Sequence, residues 1–167
     1  MILVTTGTNE QPFDRLVRAA AELAVHEDAF VQYGASQVPH GPGEWVDFLT
    51  FDELAERVRA ARVVVCHAGV GSIMLARRSG HRPVVLARRL QLGEAVDDHQ
   101  MQLARRLDAA GLVTLVEDER DLPAAVGAPE GARAPVFTQP LAGAAALAAE
   151  LRGYLTQVVP AVPAKEG

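Results

Sequence analysis

The sequence predicts an α/β protein built on one Rossmann-like parallel sheet with helices on both faces. Three observations lead there. Short apolar, largely β-branched runs recur, the clearest being Val63-Val64-Val65-Cys66. Segments with helical spacing separate them, and glycine-bearing turns stand where strand passes into helix, at Gly7 and again at Gly69 and Gly71. Runs that are apolar throughout, rather than alternating, belong to strands covered on both faces, and strands alternating with helices close into a parallel sheet.

The elements follow in order. Ile2-Leu3-Val4-Thr5 is the first strand; Thr6-Gly7-Thr8-Asn9 is a turn; residues 13–24 form a helix with Phe13, Leu16, Val17, Ala20 and Leu23 on one face. Phe30-Val31-Gln32-Tyr33 is a second strand ended by Gly34, and Pro39-His40-Gly41-Pro42-Gly43 is a loop. Residues 45–49 alternate as a half-buried strand does. Thr50 or Asp52 caps the next helix, whose inner face is Leu54, Val58 and Ala61.

Past the central run, Ser72 opens a helix stopped by Gly80, and Pro83-Val84-Val85-Leu86 is a buried strand. Residues 88–96 lack periodicity and read as a loop. A helix then runs from Asp97 with Gln100, Leu103, Ala104 and Leu107 on one side, and Gly111 ends it. Residues 112–116 make a strand, 118–126 a helix, 127–135 a loop and 139–155 an alanine-rich helix. A single domain over 1–157, with a frayed tail at 158–167, accounts for the chain.

Length and composition agree: 167 residues, 49% hydrophobic and 22% charged, suit one domain with a sizeable core. The net charge of -5 lends no support to nucleic acid as a partner, although Arg77-Arg78 and Arg88-Arg89 are local basic pairs able to meet a phosphate. The lone cysteine, Cys66, excludes a disulfide within the chain and suits a reducing cytoplasm. No apolar run reaches the roughly 20 residues that span a bilayer, so a membrane connection is expected only through a partner.

The chemistry gathers at Val63-Val64-Val65-Cys66-His67-Ala68-Gly69-Val70-Gly71-Ser72. A strand-to-helix junction points unpaired N–H groups at whatever lies beyond the strand, and glycines let a ligand approach closely, so a diphosphate is the natural guest. His67 looks into the same crevice. Met74 stands where a nicotinamide fingerprint has its third glycine, and Gly7-Thr8-Asn9 lacks the lysine of a nucleotide-hydrolysing loop. Asp97 and Asp98 read first as acidic residues at a helix N-terminus, and no second cluster accompanies Asp98 and His99 to make a metal site. His26, His40 and His81 read as solvated, and Trp45 and Phe48 as core or partner surface.

Together, residues 2–8, Pro12-Phe13-Asp14-Arg15-Leu16, the stretch from His67 to Met74, Pro83-Val84-Val85 and Gly93-Glu94 before Asp97-Asp98-His99-Gln100 resemble the C-terminal domain of family 28 glycosyltransferases. The resemblance covers roughly residues 1–115 and is closest to stand-alone donor-binding subunits, of the kind used in lipid-linked oligosaccharide synthesis and bacterial exopolysaccharide assembly. It implies the C-terminal half of a two-domain (GT-B) fold and an inverting transfer of N-acetylglucosamine or another hexose from a UDP-sugar to a lipid-linked acceptor. It also implies a membrane-associated acceptor-binding subunit that recruits a cytoplasmic chain to the membrane face. By the same resemblance Gly7, Thr8 and Asn9 face the diphosphate, His67, Gly69, Gly71 and Ser72 hold it, and Asp98, His99 and Gln100 contact the sugar. His67 and His99 are the candidate bases in this chain, and no metal or other cofactor is implied.

Three positions depart from the family pattern. Leu75 stands where an acidic residue accepts bonds from the ribose hydroxyls, Ala87 where a proline precedes the arginine, and Ala95 where a histidine is frequent. A leucine accepts no hydrogen bond, which keeps open a rival reading: a non-catalytic interaction subunit that retains the fold.

Overall fold

The structure, a computed structural model, describes residues 1–128 and Ala149. Contacts divide the chain into Met1–Val136 and Phe137–Gly167. The expected helix at 139–155, the tail and the boundary at 157 lie outside the described residues.

The apolar runs pair as strands β1 (Ile2–Thr5), β2 (Ala29–Gln32), β3 (Glu44–Val46), β4 (Val63–Cys66), β5 (Val84–Leu86) and β6 (Thr114–Val116). They form one six-stranded sheet in the order β3-β2-β1-β4-β5-β6 with every pair parallel. Parallel pairing needs a crossover between strands: helices α1 (Asp14–Ala24), α2 (Phe51–Ala60), α3 (Val70–Arg78) and α4 (His99–Ala109) supply four of the five, residues 33–43 join β2 to β3 with no helix between them, and α5 (Leu122–Gly127) follows β6. The expected Rossmann-like architecture is therefore present.

Alternation along β1 shows how the two faces are filled. Ile2 and Val4 join Val31, Val63, Val65, Val84 and Leu86 in a core closed by Phe13, Leu16, Ala20 and Leu23 beside α1 and by Leu122 and Val126 of α5. Leu3 points the other way, with Phe30 and Val64, against Val58 of α2 and Ala76 of α3. The strands are thus covered on both sides, which is why they read as unbroken apolar runs.

Several boundaries differ from the sequence reading. β3 stops at Val46 instead of continuing to Leu49, and Phe48 turns out to solvent, 61% exposed. Thr50, not Asp52, caps α2, in a capping box: its N–H donates to Glu53 Oε2 (2.8 Å) while its Oγ1 accepts from the Glu53 N–H (3.4 Å). α3 begins at Val70, before Ser72, because Gly69 takes the cap position. α5 starts only at Leu122; the Asp118 carboxylate accepts the Arg120 N–H (3.0 Å) and sets a 3-10 turn over Glu119–Asp121 ahead of it. His81, read as solvated, is 7% exposed.

Candidate functional site

The strand order reverses direction between β1 and β4, and in such sheets ligands lie beyond the carboxyl ends of the strands at that point. Thr5 pairs with Cys66, so the next residues of each strand, Thr6-Gly7 and His67, emerge side by side. The His67 N–H extends the ladder to the Thr5 carbonyl (3.3 Å). Its imidazole then fills the space between the two turns. A Cβ on Gly7 would stand 2.3 Å from its Cε1, and one on Gly69 2.1 Å from its Nε2. Both glycines are therefore required by the histidine itself, whereas a Cβ on Gly71 would meet open space.

Burial, and second the nearby Arg88 guanidinium, push the His67 pKa down to about 4, against a weaker opposing effect of the Thr5 carbonyl. The ring is neutral at physiological pH, and its Nδ1 is enclosed with no hydrogen-bond partner among the described residues. Burial pushes the neighbouring Cys66 thiol up to about 12, so it is no nucleophile at neutral pH.

A polar network fixes the first turn. Gly7 takes φ +77°, a conformation open to glycine, and donates its N–H to Thr5 Oγ1 (3.2 Å). Thr5 Oγ1 donates to Gln32 Oε1, and Gln32 Nε2 donates to the carbonyls of Gly7 (2.9 Å) and Asp47 (3.3 Å). Arg88 reaches the same turn from β5. Its Nη1 donates to the carbonyls of Gln11 (2.8 Å), Pro12 (3.2 Å) and Glu94 (3.0 Å), its Nη2 to that of Thr6 (3.1 Å), and its guanidinium lies 4.7 Å over the Phe13 ring. Beside it, Arg15 makes a bidentate pair with Glu94 (3.1 and 2.9 Å) and a further bond to Glu119 (3.1 Å). The basic pair Arg88-Arg89 is thus no phosphate patch: Arg88 is 1% exposed and serves the framework. Arg77 is likewise buried and donates to the His81 carbonyl (3.3 Å).

Above this floor opens a cleft of about 440 Å³. At one end stand Gly7, Thr8, His67, Gly69, Gly71 and Ser72 with the start of α3, which carries no side-chain cap and no acidic residue in its first turn. Its first N–H groups lack partners within the helix, and its dipole favours negative charge. At the other end stand Leu49, Leu54 and Leu75, with Phe48 and Phe51 at the rim. Among the described residues none that lines it carries a carboxylate. Such a cleft suits an elongated ligand with an anionic end and a less hydrated end.

Of the residues singled out in the sequence, Gly7, Thr8, His67, Gly69, Gly71, Ser72 and Leu75 line this cleft. Asn9, Asp98, His99 and Gln100 do not. Asn9 is exposed, and its side-chain oxygen accepts the Gln11 N–H (2.9 Å). Asp98 caps α4 without a side-chain bond to it, while the Asp97 carboxylate accepts the His99 N–H (3.0 Å) and lies 2.9 Å from His99 Nδ1. Gln100 Oε1 is enclosed with no hydrogen-bond partner among the described residues. These residues follow β5 and so stand at the same edge of the sheet as the cleft. Sequence reasoning missed Thr5 and Gln32 as its floor and Phe48, Leu49, Phe51 and Leu54 as its wall. The apolar residues at 48–54 carried the signal, divided between a strand that ends earlier and the inner face of the helix that follows. Among the described residues no three His, Cys, Asp or Glu side chains gather to hold a metal ion, and no helix is long and apolar enough to cross a membrane.

A doubly wound parallel sheet with an uncapped helix start at its switch point has the form of a nucleotide-binding fold, and residues 1–128 match the family model of the glycosyltransferase family 28 C-terminal domain. The chain belongs to that family. Among its relatives is the UDP-N-acetylglucosamine transferase subunit ALG13 of Yarrowia lipolytica, 29% identical over an alignment of 126 residues, with 64% of this chain and 60% of the relative covered. The chain thus spans about 60% of the length of that curated relative. Among solved structures, an NMR structure of ALG13 aligns with a TM-score of 0.53 at 18% identity, covering 81% of this chain and 88% of that one. The glycotransferase of kitacinnamycin aligns with a TM-score of 0.54 at 16% identity, covering 92% of this chain and 39% of that one. At these identities the structural likeness is one of fold.

Proposed function

We propose that this domain is the donor-binding half of an inverting glycosyltransferase, taking a UDP-sugar, with N-acetylglucosamine or another hexose, and acting on a lipid-linked acceptor. The observation that carries the reading is the junction where His67, held neutral between Gly7 and Gly69, stands beside the uncapped start of α3. Backbone N–H groups at Gly71 and Ser72, with the hydroxyls of Thr8 and Ser72, stabilise the departing diphosphate without a metal. Asn9 is assigned to the diphosphate, and Asp98, His99 and Gln100, at the start of α4 and outside the cleft lining, are assigned to the sugar.

An imidazole with a pKa near 4 is a poor general base at neutral pH, so His67 is assigned to the leaving group and not to the acceptor. The base that deprotonates the acceptor hydroxyl comes with the acceptor half, His99 being the candidate within this chain. That half is a membrane-associated partner subunit, which brings the cytoplasmic donor domain to the membrane face; the relative named as a transferase subunit supports this division. A transfer assay tests it. The chain alone is expected to transfer no sugar to a lipid-linked acceptor and to do so once the acceptor half is added; robust turnover by the chain alone contradicts the reading. Leu75 in the cleft favours one second reading, a non-catalytic interaction subunit that retains the fold, which requires that no sugar is transferred even with the acceptor half present.

A further inference from the structure

The division of the cleft into a polar and an apolar end bears on which nucleotides it accepts. Thr5 and Gln32 line it, but their side chains are committed to one another and to the Gly7 and Asp47 carbonyls. The polar groups left to a ligand therefore lie at the turn end, around His67 and the start of α3. Ser72 and Leu75 are three residues apart on α3 and share a face. Leu75 is thus the cleft-lining side chain about one helical turn along α3 from Ser72. There Leu49, Leu54 and Leu75 pack onto the core formed by Leu3, Phe30, Val58 and Val64, and they present only methyl and methylene groups.

A site rejects an analogue lacking a hydroxyl only when it holds a buried polar group built to pair that hydroxyl. A leucine wall holds none. We propose, resting on the donor-site reading above, that a diphosphate held at Ser72 lays its ribose along Leu75, so that this cleft does not read the ribose 2′-hydroxyl and takes 2′-deoxynucleoside diphosphates, deoxythymidine diphosphate among them, as readily as UDP. Leu75 is then the residue that sets nucleotide selectivity.

Titration calorimetry with UDP, dUDP and dTDP tests this on the full chain and on Leu75→Glu. For the parent, the dissociation constants of UDP and dUDP are expected to agree within about threefold, with dTDP at least as tight as dUDP because its methyl adds apolar contact. Leu75→Glu supplies an acceptor and is expected to raise the preference for UDP over dUDP roughly tenfold. Leu75→Gln brings an acceptor without a charge and is the second variant should the carboxylate disturb the packing. A larger parental preference for UDP overturns the inference and leaves the donor site standing, and so does a folded variant with unchanged selectivity. Failure of all three nucleotides to bind overturns the donor site as well.

Discussion

Gly69 lies so close to His67 that a Cβ on the glycine would stand 2.1 Å from the ring's Nε2. The backbone of Gly69 is extended (φ -79°, ψ 131°), so space and not torsion requires glycine there. Gly69→Ala is accordingly expected to cost about 1–3 kcal/mol, the usual penalty of overpacking. The penalty should vanish in a His67→Ala background, where the ring is gone. Urea denaturation of the two single variants and the double variant reads this coupling directly. Additive losses would mean that the ring and the glycine do not compete for the same space.

The buried imidazole gives the fold a pH dependence of definite sign. In the unfolded chain His67 takes up a proton around its ordinary value of 6.5, whereas in the folded chain it does so only near 4. Between those values the unfolded state binds the extra proton, so the contribution is complete above pH 6.5 and is lost as the pH falls toward 4. His67→Gln removes the group while the carboxylates titrate in both proteins. The parent should therefore lose stability relative to the variant across this window, and parallel stability curves would contradict the assigned burial.

Arg88 ties the Thr6, Gln11 and Pro12 carbonyls of the first turn to the Glu94 carbonyl after β5. Lysine has neither the planar fork nor the number of donors to replace it. Arg88→Lys is expected to destabilise by about 1–3 kcal/mol for each buried carbonyl left unpaired, and to weaken nucleotide binding through the loosened turn. Thermal melts and calorimetry on the same sample check the pair of effects. A variant as stable as the parent would show that water or a shifted side chain replaces these bonds.

The fold was legible because its signals are local. Val63-Val64-Val65-Cys66 and Pro83-Val84-Val85-Leu86 announce strands covered on both faces, and Gly34, Gly80 and Gly111 each end an element with positive φ. What stayed hidden depends on partners far along the chain. Arg15 and Glu94 are 79 residues apart and Arg88 and Thr6 82, so their pairing and burial left no local trace. The two glycine turns were visible as candidates for a ligand, but their reason was only half visible, since Gly7 and Gly69 serve the His67 ring and Gly71 alone faces open space.

That division of labour among the glycines supplies the most direct test of the donor site. Gly71 lies in the first turn of α3 with nothing near its Cβ position, so Gly71→Val leaves the core untouched while placing a branched side chain where a diphosphate approaches the backbone. In calorimetry with a chelator present, the parent is expected to bind UDP and the folded Gly71→Val variant to lose that binding. A strict magnesium requirement in the parent, or unchanged UDP affinity in the variant, would contradict a metal-free diphosphate site at this junction.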